Sequence, residues 1–335
     1  PMTAQLLDRW MKTITSDSNQ AARRGHCLGI GALALETIGD RLTEVLDTLS
    51  NATKVLGKKN QMDDADVRKN ALIGLTDLLN RVELYDGSDG EKKKKSAVSK
   101  AQASSLLDVY MTCMDDYTTD NRGDIGSIVR EAAISSMGHA IVKLRSEDEK
   151  LQDEFDRSGI SSTSSSSAGP ALPSTHRPYL SSEIVVAFTC KLVRLALEKI
   201  DRTRERAGVM LEQMLRSILG HSSTASSYKF WNQVSMAGIH LPNVIPHAQQ
   251  LWSDIETASR AVDSKSVITN SLNWTSSRIV FPILAPLLQC DEYRYYINLG
   301  IIRSVGGTNN SKELVEDATS TLLTDSLLPR HSTTR

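Results

Sequence analysis

Apolar residues recur at spacings of three and four along most of the chain. That period lays one side of an α-helix against a core. The spacing predicts a first helix over residues 4–15, with Leu6, Leu7, Trp10, Met11 and Ile14 on its stripe. Asp17-Ser18-Asn19 breaks it and caps the next. The second runs over 20–38 through Cys27, Leu28, Gly31, Leu35 and Ile38, and Gly39-Asp40 ends it. A third sets Leu42, Val45, Leu46, Leu49 and Leu56 on one side. An acidic turn at Asp63-Asp64-Ala65-Asp66 then suits the positive end of a helix dipole. The helix after it carries Val67-Arg68 and an apolar stripe to Val82. Ser104 starts another, reaching Met114.

A polar, acidic loop, 115–124, feeds the most regular helix of the chain. Its stripe takes Ile128 or Val129, then Ala132, Ala133, Met137, Ala140, Ile141 and Leu144. The pattern then fails: 146–154 is densely charged and 159–173 is Ser-rich, with the run 161–167 almost pure serine. Such a segment cannot bury enough apolar surface to order itself, so disorder is expected over 146–181. Helical spacing resumes over 182–200, and the charged run 201–206 then leads into Ala207, Met210, Leu211, Met214, Leu215 and Ile218. The stretch 230–280 mixes three tryptophans with Pro242 and Pro246, which predicts short helices and long loops. A helix over 281–288 should begin near a proline. Two last helices, 293–305 and 314–327, are split by Gly306-Gly307.

Four helices carry arginine near their start with a small residue soon after. Arg24, Arg68, Arg130 and Arg206 stand 44, 62 and 76 residues apart. The excess over 44 falls where the Lys-rich loop and the Ser-rich tract are inserted. A helix pair every 40 to 47 residues or so is the mark of HEAT and armadillo arrays. The Asp can cap the helix, the Val can enter the core, and the Arg can bond a carboxylate on the neighbouring pair. The expected fold is all-α, a HEAT/armadillo-type α-solenoid. Repeats over 1–145, with the Lys-rich loop near 86–100, precede the insertion at 146–181. Further repeats fill 182–329, and 330–335 is a tail. No strand-like alternation of useful length competes.

Composition narrows the function. The chain has 335 residues, 40% hydrophobic but only 5% aromatic, which fits helices better than a sandwich or barrel. With 39 basic and 40 acidic residues it has no bulk attraction for nucleic acid or anionic membrane. Cys27, Cys113, Cys190 and Cys290 lie far apart in apolar runs, which predicts buried, reduced thiols. No apolar run is long enough to span a membrane. The chain opens Pro1-Met2 directly into helical sequence, as expected of a piece of a longer protein.

Chemistry-bearing motifs are sparse. The seven histidines show no metal-ligand spacing. Ser304-Val305-Gly306-Gly307-Thr308 lacks the residues of a phosphate loop, and no nucleophile elbow is present. No catalytic residue, cofactor or metal is expected. Lys92 to Lys95 reads as a solvated loop, a nuclear-import signal or a contact for an acidic partner. Tyr293-Arg294-Tyr295-Tyr296 and Asn273-Trp274 read as interface aromatics or as wedges between helices. The candidate contact residues are Asp116, Asp120, Arg122, Asp124 and Arg130. Two roles stand open for them, a surface for another protein, or helix capping and ion pairs between repeats.

The run from Asp116 to Gly126, continuing to Val129-Arg130, resembles a characteristic stretch of the tubulin folding cofactor D (tubulin-specific chaperone D) family. Glu198-Lys199-Ile200-Asp201-Arg202-Thr203-Arg204 is similar to a second. Asn273-Trp274, Phe281-Pro282, Tyr293-Arg294-Tyr295, Leu299-Gly300 and Ser304-Val305-Gly306-Gly307 are similar to a third, and Arg24-Gly25 to Gly31-Ala32-Leu33 to a fourth. Their order is that of the family's C-terminal region. The resemblance implies a HEAT scaffold, cytoplasmic and cytoskeleton-associated, that captures β-tubulin while the αβ-tubulin heterodimer is assembled or taken apart. It implies tubulin-folding cofactors C and E and an Arf-like small GTPase as partners, in complexes linked to GTPase activation. There hydrolysis belongs to tubulin or the GTPase and not to the D component. A HEAT adaptor for another cargo, in nuclear transport or trafficking, is the rival reading, and an enzyme is the third.

Overall fold

Short polar residues cap the starts of several helices. In the computed structural model, α1 (Met2–Ser16) is followed by α2 (Gln20–Ala32), which Asn19 caps by accepting the Ala22 N–H at 3.1 Å. The structure describes residues 2–57, 63–85, 96–157, 178–219, 248–262, 272–305 and 312–321. The Lys-rich run 92–95, the Ser tract 161–167, the loop 221–228, Gly306-Gly307 and the tail 330–335 lie outside them. The chain divides into two units, Pro1–Ser181 and Ser182–Arg335.

In the first unit, α2 stops at Ala32, six residues before its expected end. Arg81 donates to the Leu33 carbonyl at 2.7 Å and to the Gly31 carbonyl, closing the helix end. A one-turn helix α3 (Leu35–Ile38) and a 3-10 turn (Gly39–Arg41) lead into α4 (Leu42–Ala52). Leu56, expected on the apolar side of that helix, lies beyond its end and is 47% exposed. Next, α5 (Ala65–Arg81) is capped by Asp64, which accepts the Asp66 N–H at 2.9 Å. Two three-residue strands, β1 (Glu83–Tyr85) and β2 (Ala97–Ser99), pair in parallel. From β2 the chain runs straight into α6 (Lys100–Cys113), which starts earlier than expected because Ser99 and Gln102 form a capping box.

A two-residue hairpin, β3 (Thr119–Asp120) and β4 (Gly123–Asp124), separates α6 from α7 (Ser127–Arg157). Val129, Ala133, Met137, Ala140, Ile141 and Leu144 are all buried. The helix does not end near 145, however. It continues through the charged segment to Arg157, stapled by Lys143–Glu147, Arg145–Glu149 and Lys150–Glu147 pairs at helical spacing. The start of the expected disordered stretch is therefore helical. Its far end is held too: buried Asp148 accepts the N–H groups of Tyr179 and Leu180 at 2.6 and 3.1 Å.

Helices α2, α5 and α7 pack as neighbours, α5 in the middle, while α1, α4 and α6 each back one of them. The α2–α5 crossing is close because Gly31 meets Gly74. A Cβ at Gly31 would stand 2.4 Å from the Gly74 Cα. Leu72, Leu75, Leu78 and Leu79 on α5 are essentially fully buried, each contributing about 1.5–3 kcal/mol of hydrophobic stabilisation.

The second unit holds α8 (Ser182–Leu195), α9 (Asp201–Ile218), α10 (Ala248–Val262), α11 (Ser277–Leu284), a 3-10 turn (Ala285–Gln289), α12 (Asp291–Val305) and α13 (Lys312–Thr321). A 15-residue helix, α10, thus falls where short helices and long loops were expected. The expected proline start is met by the 3-10 turn, which has Pro286 in its first positions, but not by α11. Ser276 precedes it and Pro282 lies inside, where the missing N–H helps end the helix two residues on. Packing runs from α8 to α9 and α12, from α10 to α9 and α11, and from α13 to α11 and α12. Trp274, 1% exposed, lies on Gly208, where a Cβ would stand 1.9 Å from its indole. Trp274 and Tyr293 are therefore wedges in the core, whereas Tyr295 is 66% exposed.

Candidate functional site

Four arginines hold the same place in four helices. Arg23, Arg68, Arg130 and Arg204 are each the fourth residue of α2, α5, α7 and α9. Each backbone N–H reaches the carbonyl four residues back, at Asn19, Asp64, Gly126 and Ile200. All four side chains are buried. The sequence spacing had aligned Arg24 and Arg206 instead. The legible signal was the distance from the cap, since the buried arginine is always the fourth residue after it.

A buried guanidinium must find acceptors for its donors. Arg23 donates from Nε to the Ile14 carbonyl of α1 at 3.0 Å. Arg204 donates to the Glu198 and Thr275 carbonyls and to Asp201. Between those two, the loop before α7 serves Arg68 and Arg130 together. Arg68 donates from Nε to Asp116 Oδ2 at 2.7 Å, from Nη2 to Thr118 Oγ1 at 2.6 Å, and from Nη1 to Asp63. Thr118 in turn donates its hydroxyl hydrogen bond to Asp116 Oδ1 at 2.7 Å. Arg130 donates to the Asp116 carbonyl at 2.6 Å and holds both carboxylate oxygens of Asp124, at 3.1 and 2.8 Å. Its guanidinium also covers the Tyr117 ring, 4.1 Å from the centroid. Gly126 is required here, because a Cβ would stand 2.2 Å from the Asp116 carbonyl oxygen.

The five residues marked by the sequence thus divide. Asp116 and Arg130 are buried at 5% and 0% exposure and join α5 to the start of α7. Asp124 is part-buried against Arg130. Asp120 and Arg122 sit outside, at the hairpin tip, where Gly123 takes a φ of 112°. Arg122 meets Asp120 with its backbone N–H at 2.8 Å and its Nε at 2.9 Å. That contact holds the Asp120 carboxyl below its usual range. The tip stands over the start of α5, so the Arg122 charge acts on Asp64, Asp66 and Arg24. Arg24 reaches forward from α2 to cap residue Asp64 at 2.8 Å. The starts of α2, α5 and α7 therefore form one charged edge, internally bonded beneath and exposed at Asp120 and Arg122.

In the second unit a polar cleft of about 710 Å³ lies at the start of α9, lined by Arg204, Asp201, Thr275, Ser277 and Asp317. Its groups are engaged with one another: Ser277 donates to Asp317 at 2.8 Å and Arg204 to Asp201 at 2.5 Å. Among the described residues no three His, Cys, Asp or Glu are grouped to hold a metal ion, and no helix is long and apolar enough to cross a membrane. All four cysteines are free and buried. Desolvation pushes the thiols of Cys27 and Cys190 up to about 12 and that of Cys113 up to about 11, which suits packing rather than nucleophilic chemistry.

Residues 186–329 match the family described as tubulin folding cofactor D, C terminal. The chain is 25% identical over 330 residues to tubulin-specific chaperone D of Dictyostelium discoideum, which covers 94% of this chain and 19% of that protein. It therefore spans about a fifth of that relative's length. No solved structure matches. The family is the one that 116–130, 198–204 and 273–307 resemble.

Proposed function

Residues 186–329 belong to the C-terminal family of tubulin folding cofactor D, the chain as a whole is similar to a member of it, and on that premise we propose that this chain is a HEAT-type scaffold for tubulin folding. It binds β-tubulin and the partner cofactors C and E, with an Arf-like small GTPase, during assembly or disassembly of the αβ-tubulin heterodimer. It carries no catalytic residue of its own, and it works in the cytoplasm.

One observation carries the reading: an exposed charged tip, Asp120 and Arg122, held on a network of buried arginines. The tip has little freedom because Asp116, Thr118, Asp124 and Gly126 around it are all bonded inward. A rigid polar edge presented by stacked helices suits recognition of a folded protein surface, since little ordering is lost on contact. The helix-pair order of the first unit, α1–α2, α4–α5 and α6–α7, supports the HEAT assignment.

The experiment is a pull-down with the purified 335-residue chain as bait and purified tubulin, cofactor C, cofactor E and the GTPase as separate prey. Capture of at least one, weakened by Asp120→Lys with Arg122→Glu, is the expected result. Capture of none, by this chain and by a longer protein containing it, overturns the reading and leaves a HEAT adaptor for another cargo.

A further inference from the structure

Helices α4 and α6 run side by side without closing on each other. At their starts, Gln102 Nε2 donates to Thr43 Oγ1 at 3.0 Å. At their ends, Thr53 hydrogen-bonds Cys113. The two helices are therefore parallel, and both touch α5. Between their C-terminal halves a cleft of about 700 Å³ opens to solvent, with mostly apolar walls. Val109 and Thr112 line it from α6 and Val55 from beyond α4. Val55 is 50% exposed.

The rim is negative. Asp47 stands on the α4 side, and Asp108 and Asp115 on the α6 side. Neither Asp47 nor Asp108 has a hydrogen bond or ion pair among the described residues, so both carboxylates are available. Lys54, also at the cleft, turns its Nζ to Asn51 Oδ1 at 2.7 Å. Both helices end here, so their last carbonyls add partial negative charge and favour a cation.

We propose that this cleft docks a cationic amphipathic segment of a partner protein. An apolar side chain enters against Val55 and Val109, and flanking Lys or Arg residues meet Asp47, Asp108 and Asp115. The electrostatics decide the occupant, because an acidic peptide or a phosphate group would meet like charge on three sides. Asp108 stands on the last part of α6 and Asp115 just beyond its end, so basic residues along one face of a partner segment can meet both. This site does not include Asp120 or Arg122 at the hairpin tip, and it does not depend on tubulin being the partner.

The probe is a fluorescein-labelled 16-residue peptide of Leu, Ala and Lys, with Leu at i, i+3, i+4 and i+7 and Lys opposite. Two controls replace every Lys by Glu or scramble the order. Anisotropy with the full chain should show the Lys peptide binding about tenfold or more tighter than either control. Its affinity should fall steeply as salt shortens the Debye length from about 10 Å to about 3 Å. Asp47→Asn with Asp108→Asn, and separately Val55→Asp, should each weaken it about fivefold or more without moving the melting temperature. Equal binding of the Lys and Glu peptides, or unchanged binding by both variants, overturns the proposal. The wild-type salt titration decides the matter by itself if a variant melts early, because salt-independent binding also overturns it.

Discussion

Arg68 on α5 donates its Nε–H to Asp116 at 2.7 Å across 48 residues of chain. Both side chains are almost fully buried, at 2% and 3% exposure. Taking two charges out of water is unfavourable, and it is offset here only because each keeps further partners: Asp63 and Thr118 for Arg68, Thr118 for Asp116. Removing Asp116 leaves the buried Arg68 Nε–H without its acceptor and only Asp63 to balance the charge. Asp116→Ala should therefore destabilise the protein by about 3–5 kcal/mol in urea unfolding. The double change Arg68→Met with Asp116→Leu should recover much of that loss, because an apolar pair removes both charges at once. A double variant no more stable than Asp116→Ala would show that the pair is not the source of the loss.

Much of this fold is legible in the helical period. The stripe predicted for α7 is the buried one apart from the half-buried Ala132, and α9 ends at Ile218 as the spacing implies. What escapes the period is set by contacts distant in sequence. Arg81 ends α2 early, and no window around Ala32 contains it. Charged pairs extend α7 past the last apolar residue of its stripe. The candidate contact residues are legible only as a stretch, because a helix cap and a docking loop use the same residue types. Burial alone separates them, sending Asp116 and Arg130 inward and leaving Asp120 and Arg122 outside. Arg23 and Arg204 were passed over because each has another arginine one or two residues away.

Glycine gives a second test, in the contrast between Gly31 and Gly25 on one helix. At Gly31 a methyl group would meet the Gly74 backbone, which cannot yield. Gly31→Ala should destabilise by about 1–3 kcal/mol through overpacking. Around Gly25 nothing lies within 4 Å of an added Cβ. Gly25→Ala should stabilise by about 0.5–1 kcal/mol, through helix propensity alone. Opposite shifts in the urea midpoint are expected, and shifts of one sign would refute the close-crossing account.

His26 supplies a pH dependence. Its ring stacks on Trp10 with centroids 5.2 Å apart. Burial lowers its pKa below 6.5, with Arg9 acting in the same direction and Asp17 opposing. A histidine that is less basic folded than unfolded binds its proton in the unfolded state first. Its contribution is therefore complete above pH 6.5 and is lost as pH falls below 6.5 toward the folded pKa. Between about pH 7.5 and about pH 5 the wild type should lose more stability than His26→Gln, whose side chain does not titrate. Equal losses in the two proteins would remove His26 as the cause.

Asp120 and Asp124 lie four residues apart in one hairpin, yet only Asp124 should lose stability when changed to lysine. The Asp120 carboxylate is turned to Arg122 at the tip, in water, where an ion pair contributes little. Asp124 holds buried Arg130 through both oxygens. Asp124→Lys takes that acceptor away and places a second cation beside the guanidinium. The expected loss is at least about 2 kcal/mol, or several degrees of melting temperature for a unit of this size. Asp120→Lys should leave the melting temperature within about a degree, because exposed substitutions of this kind stay within about 0.5 kcal/mol. If the tip touches a partner, Asp120→Lys should still weaken capture in the pull-down, and with melting unchanged that weakening can be assigned to the surface itself. Should Asp120→Lys instead melt early, the tip belongs to the internal network and loses its standing as a contact surface.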